Sequence, residues 1–216
     1  MRPCRVQARR AILRGVGKGE ASLGAERAAW PSFLRGRSSA ETLERLSQGD
    51  PLRLREISAR RLREVWVLLD PDRVYFRALG VCADAAPNED APQDLSKWTH
   101  MKIDLAIEQL VRADRDAENA SPGLVSGDVG EFPLLTECLM MEPGLVRPAS
   151  VAFNALHTLP RRAFFELIVE GRELGDCIEQ GPWDEDGLYQ AIQAALATLG
   201  LDVRPPPPEA VQQGKP

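Results

Sequence analysis

Apolar residues recur along this chain at three- and four-residue steps, and the positions that interrupt them are helix caps and breakers. Ser38 followed by Glu41 reads as a capping box, and Leu43 and Leu46 then share a face before Gly49 ends the turn. Asp50-Pro51 is a second start, with Asp as cap and Pro at the first helical position. Leu54, Ile57, Arg61, Val65, Leu68 and Leu69 continue it as an amphipathic helix to about Leu69. Asp70-Pro71 repeats the device ahead of a shorter helix through Val74, Ala78 and Leu79. The acidic stretch 83–94 carries Pro87 and Pro92, which donate nothing to a helical ladder, and reads as a loop. The strongest periodicity follows: Trp98, Met101, Leu105, Ile107, Leu110 and Val111 mark a helix from about Ser96 to Glu118. Lys102, Asp104, Glu108 and Arg112 are placed on its remaining surface.

Residues 119–149 change character, because Gly and Pro punctuate them repeatedly around one apolar island at Leu134–Met141; they read as a linker. From Ser150 the helical pattern returns. Leu159-Pro160 opens a helix with Phe164, Phe165, Leu167 and Ile168 that ends at Gly171, a natural left-handed cap. A short helix through Leu174, Cys177 and Ile178 stops at Gly181-Pro182. Asp184 then caps a third, on which Leu188, Ile192, Ala195, Leu196 and Leu199 form one face. No run of alternating apolar and polar residues demands a strand. The expectation is an all-α chain: a basic disordered arm at 1–37, a helical domain at 38–118, a linker at 119–149, a helix-turn-helix domain at 150–201 and a Pro-rich disordered tail at 202–216.

Composition narrows the function classes. A 44% hydrophobic content without an uninterrupted apolar run of about 18 residues excludes a membrane-spanning helix. The formal net charge of −5 hides a division. Residues 1–63 hold 15 Lys+Arg against 6 Asp+Glu, and residues 64–216 hold 12 against 26. A basic front can contact nucleic acid, can neutralise the acidic body, or can simply be solvated. The first 19 residues carry five Arg, one Lys and no acid, but no apolar segment follows them as in a secretory signal. Four widely spaced cysteines without a C-x-x-C pair point to a reducing, cytoplasmic setting and away from metal or redox motifs. Cys177 reads as a buried hydrophobe. His100 and His157 lack nucleophile or acid partners in any motif, so no enzymatic site, cofactor or metal is expected.

The C-terminal order resembles a known family. Leu159-Pro160, an apolar helix, Glu170-Gly171, a short helix with a central acid, a small turn and a last helix are similar to region four of extracytoplasmic-function-type bacterial sigma factors. Leu188, Ile192, Ala195 and Leu199 stand at the core positions of the last helix, and Leu174 heads the short one. Further upstream, Ala91-Pro92-Gln93-Asp94-Leu95 followed by Trp98 resembles the Asp-Leu helix of region two. The resemblance implies binding of core RNA polymerase through Asp94 and Leu95, and promoter DNA contact through Tyr189, Gln190 and Gln193.

One departure bears on that function. From Asp184 to Leu199 there are three acids and no Lys or Arg, and Tyr189, Ala191 and Ala194 hold positions that are usually basic in the family. A duplex presents one negative charge per about 1.7 Å, so an acidic reading helix is repelled, and glutamines without phosphate anchors have little affinity to specify with. The expectation is therefore a sigma-factor-like protein with weakened or lost promoter reading. The alternative is a protein-interaction module on the same scaffold whose acidic C-terminal face binds a basic protein.

Overall fold

The computed structural model describes residues 31, 34, 38–90, 92–120, 135–136 and 139–201. The expected arm, apart from Pro31 and Leu34, and the expected tail lie outside these. Among the described residues the chain is all-helical: eight α-helices, a π-helical turn and no strand. No described helix is long and apolar enough to cross a membrane.

Helix α1 (Ser39–Ser47) starts where the capping box sets it, with the Ser38 hydroxyl accepting from the Glu41 N–H. Its inward pair is Thr42 and Leu46, one turn apart and fully buried, whereas Leu43 is 42% exposed. Asp50 also caps, but across a longer reach than expected. Its carboxylate accepts from the N–H groups of Leu54 (2.8 Å) and Arg55 (2.9 Å), so α2 (Leu54–Glu64) begins after Pro51 rather than on it.

Helix α2 stops at Glu64, short of the expected Leu69. The reason is the run Val67-Leu68-Leu69, all buried. Three consecutive apolar residues cannot share one helix stripe, but an extended segment covered on both sides accepts them. Trp66 makes the break at φ 53°. Asn154 then serves the extended backbone: its side-chain amide accepts from the Leu68 N–H (2.8 Å) and donates to the Leu68 carbonyl (2.9 Å). Those two groups would otherwise lack partners.

Helix α3 (Pro71–Ala85) has Asp70 as cap and Pro71 in its first turn, as the sequence predicts. It continues into the stretch expected to be loop, because Cys82, Ala83 and Ala86 pack inward. Helix α4 (Leu95–Ala120) matches its prediction in extent but differs in phase. Trp98, Thr99, Lys102, Ile103, Ala106 and Ile107 are buried, while Met101 and Leu105 are 56% and 38% exposed. Lys102 thus lies inside rather than on the surface, paired with Glu89. That carboxylate also accepts from the Trp98 indole N–H at 2.8 Å. The hydrogen bonds from Lys102 and Trp98 hold the Glu89 carboxyl below its usual range.

The expected linker contains the start of helix α5 (Pro143–Asn154), which turns Val146, Ser150 and Phe153 inward. Pro143 suits a first helical position, and the i, i+4, i+7 burial continues past Pro148. The described residues divide by contacts into two compact units, both discontinuous in sequence. One comprises the described residues of 1–61, 70–110 and 130–142; the other comprises those of 62–69, 111–129 and 143–216. The boundaries expected at 118 and 150 do not coincide with these, because Leu62–Leu69 and Asp114, which bonds Arg147, belong with the C-terminal helices.

Candidate functional site

The C-terminal unit holds the helices on which the sequence places the DNA-reading residues. Helix α6 (Thr158–Phe164) carries Leu159-Pro160 in its first turn and widens into a π-helical turn at Phe165–Val169. The Glu170 N–H reaches back five residues to the Phe165 carbonyl (2.8 Å), and the chain leaves at Gly171 with φ 65°. Helices α7 (Leu174–Gln180) and α8 (Glu185–Thr198) follow within the expected limits. Asp184 caps α8 by accepting from the Gly187 N–H (2.8 Å). Between α7 and α8, Gly181 has no space for a side chain, since a Cβ there would press into the Cys177 carbonyl oxygen and the Trp183 ring.

Two clusters hold these helices. Phe153, Phe164 and Phe165 pack with ring centroids 5.0 to 6.3 Å apart. Ala163, Cys177, Trp183, Leu188 and Ala191 form the second, with Leu167 and Ile178 against it. Leu188 and Ala195 are fully buried, as expected of the last helix, and Ile192 is half-buried. Leu159 and Leu174, expected in the scaffold, are instead 38% and 46% exposed. Each lies in the first turn of its helix. Pro160 is half-buried.

Tyr189 (44% exposed) and Gln190 face solvent, and Gln193 is half-buried. Steric access to α8 therefore does not oppose DNA contact. Charge does. Residues 143–201 contain four cations besides His157, and three are engaged internally. Arg147 bonds Asp114 at 2.9 Å, with both side chains largely buried. Arg162 lies over the rings of Trp66 (5.4 Å) and Trp183 (5.0 Å) and donates to Glu166 at 2.7 Å. Arg172 lies 3.2 Å from the other Glu166 oxygen and donates to Gln180 at 2.6 Å. The fourth, Arg161, is half-buried with its Nε enclosed, and burial pulls its pKa down.

The sequence reading did not anticipate this Trp66–Arg162–Trp183 and Glu166–Arg172 arrangement. The i, i+4 spacing of Arg162 and Glu166 was a visible signal, but Trp66 lies 96 residues before Arg162 and nothing local joins them. Trp183 packs in the turn between α7 and α8, 8% exposed. Asp94 and Leu95 stand at the head of α4, where the exposed Asp94 carboxylate accepts from the Lys97 N–H (3.0 Å) as a cap and Leu95 is half-buried. Pro92 precedes the helix and does not interrupt it.

The described residues gather no metal-ligand cluster. Burial pushes the Cys82 thiol up to about 12 and raises that of Cys177, so both are poor nucleophiles. His100 lies beside Arg60 and bonds the Ser96 carbonyl, while His157 heads α6 without a side-chain cap bond. Comparison of the chain with protein-family models, curated proteins and solved structures finds no match.

Proposed function

We propose that the chain acts in the cytoplasm as a sigma-factor-like transcription protein that binds core RNA polymerase and has weakened or lost promoter reading. The observation that carries this is the contrast within α5–α8. The last helix leaves Tyr189 and Gln190 open to solvent, as a reading helix would, yet offers no cation for phosphate, and three of its group's four arginines are held by internal partners. Half or more of protein–DNA hydrogen bonds go to phosphate and sugar, so a helix without such anchors has orientation without affinity. The exposed Asp94 and the half-buried Leu95 at the head of α4 support the polymerase part of the reading. No chemical step belongs to it.

The test is binding of the purified full chain to core RNA polymerase, followed by duplex DNA at low and moderate salt. The expected result is a polymerase complex at micromolar concentration, disrupted by Asp94→Lys, together with DNA binding that shows no sequence preference. Absence of a polymerase complex at that concentration removes the proposal. Promoter-selective DNA binding removes its second half.

A further inference from the structure

We infer that the solvent face of α4 from Lys97 to Glu108 is a self-association surface, on which a second copy of this chain lies antiparallel. This goes beyond the polymerase reading and does not depend on it. The stretch belongs to one continuous helix and to one of the two compact units, so helix geometry alone decides which side chains share a face. Trp98, Thr99, Lys102, Ile103, Ala106 and Ile107 line the packed side, none more than 9% exposed. On the other side stand Lys97, Met101, Leu105 and Glu108, at steps of four, four and three residues, which trace one stripe along an α-helix. All four are exposed, and the middle two are apolar: Met101 at 56% and Leu105, one turn later, at 38%. Two neighbouring apolar side chains left in water on a packed helix are area that a partner helix covers.

The charged ends of the stripe identify the partner. A two-fold interface sets residue i of one copy against j of the other, and j against i. Laid antiparallel on itself, the stripe sets Lys97 against Glu108 and Met101 against Leu105, and both pairs are centred near position 103. One register therefore satisfies the apolar contacts and both ion pairs together. A parallel arrangement sets lysine on lysine and glutamate on glutamate, which like-charge repulsion disfavours. A uniformly basic or acidic partner helix fits one end of the stripe and is repelled at the other. Beside the stripe, His100 and Asp104 are already turned to Arg60 and Arg61, with Arg61 Nε 2.6 Å from the Asp104 carboxylate.

Two helices touching over three turns, about 16 Å, fall at the small end of specific interfaces, so the expected dimer is weak, with a dissociation constant on the order of 100 μM. Sedimentation equilibrium of the full chain at low salt, on both sides of that concentration, measures it. Lys97→Glu alone and Glu108→Lys alone are each expected to weaken the dimer about 3–10-fold, since each puts two like-charged pairs into the interface. Their equimolar mixture is expected to recover it as a heterodimer, because each copy then meets its opposite charge at both ends. Leu105→Glu is expected to weaken it at least about 10-fold, by setting a carboxylate against each Met101. Phe76→Ser, at a residue 63% exposed on α3, is the control for unspecific apolar association. A zero-length carbodiimide link between Lys97 and Glu108 reports the register: within one helix these residues are about 16 Å apart, so such a link joins two copies.

A chain that stays monomeric at about ten times that concentration overturns the inference, and so does an equal loss in the Phe76→Ser control. Failure of the two charge variants to recover association on mixing overturns the antiparallel register. A carbodiimide link from Lys18 to Glu108 in the monomer makes the chain's own N-terminal segment the occupant and overturns the assignment to a second copy. A chain that self-associates but does not bind polymerase loses only the polymerase reading; the reverse loses only this one.

Discussion

Glu166 is the position where one atom-level change tests the packing of the C-terminal unit most directly. Its side chain is 8% exposed and serves two arginines: Arg162 donates to one carboxylate oxygen at 2.7 Å, and Arg172 lies 3.2 Å from the other without hydrogen-bond alignment. Glu166→Gln keeps the volume and removes the charge, leaving two guanidinium groups, 25% and 26% exposed, without their counter-ion. Removing one partner of a buried ion pair costs about 3–5 kcal/mol. Arg162 retains its two indole rings and Arg172 retains Gln180, and both arginines reach water in part, so the lower end applies, about 3 kcal/mol. Two compact units need not unfold together, so a global melting curve is the wrong instrument. Amide hydrogen exchange over α6 to α8 reads the opening of this unit alone. At about 1.4 kcal/mol per factor of ten, the expected acceleration is roughly 100-fold for the slowest amides there. Replacing all three charges together, Arg162→Met with Glu166→Met and Arg172→Met, is expected to recover most of that loss, since apolar substitutes leave no unpaired charge. An acceleration below about 5-fold in Glu166→Gln would refute the reasoning, because the carboxylate would then be hydrated rather than enclosed.

Gly181→Ala places a methyl group against the Cys177 carbonyl and the Trp183 ring, and is expected to destabilise the unit by about 1–3 kcal/mol, read by the same exchange measurement. Glu89 has a folded-state pKa below its unfolded value, so its pairing with Lys102 and Trp98 stabilises above the unfolded value near pH 4 and is lost as pH falls through the lower folded one. The carboxylate is 42% exposed, so Glu89→Gln should flatten the acid limb of the stability curve by no more than about 1 kcal/mol, measured by denaturant titration between pH 6 and pH 3 by roughly one-unit steps. Gln190→Arg with Ala194→Arg and Ala197→Arg, all at exposed positions, is expected to steepen the salt dependence of duplex binding by about 0.9 per added cation. An unchanged slope would show that α8 does not approach the duplex.

Helix starts were the most legible part of this fold, because a cap is a local event. Ser38, Asp70 and Asp184 each accept the backbone N–H that their sequence context implies. Where the reading erred, the deciding partner was remote. Periodicity alone carried α2 to Leu69, but the Asn154 amide offers the Leu68 peptide a better partner than another helical turn. On α4 the apolar count favoured Met101 and Leu105, whereas Glu89 draws Lys102 inward and rotates the buried face toward Trp98 and Ile103. A lysine's apolar stem lets it occupy a core-facing position when its ammonium has a carboxylate, and neither the stem's path nor the carboxylate's approach is written in the local pattern.

The candidate site shows the same division between count and placement. That α8 carries acids and no cation was evident from residue types alone, and it already weighed against promoter reading. Residue types could not say what the arginines of the preceding helices do, and four of them would suffice for a modest phosphate grip if they were free. The structure removes three by giving each a buried or stacked partner: Asp114 for Arg147, Glu166 and two indoles for Arg162, Glu166 and Gln180 for Arg172. To reach a phosphate, any of the three must first leave a carboxylate that is 8% exposed, and that abandoned charge costs more than one screened phosphate contact returns. Within residues 143–201 the acids are therefore not offset by these three arginines. The groups that α8 presents to solvent are carboxylates and a tyrosine, and their sign opposes a phosphate backbone.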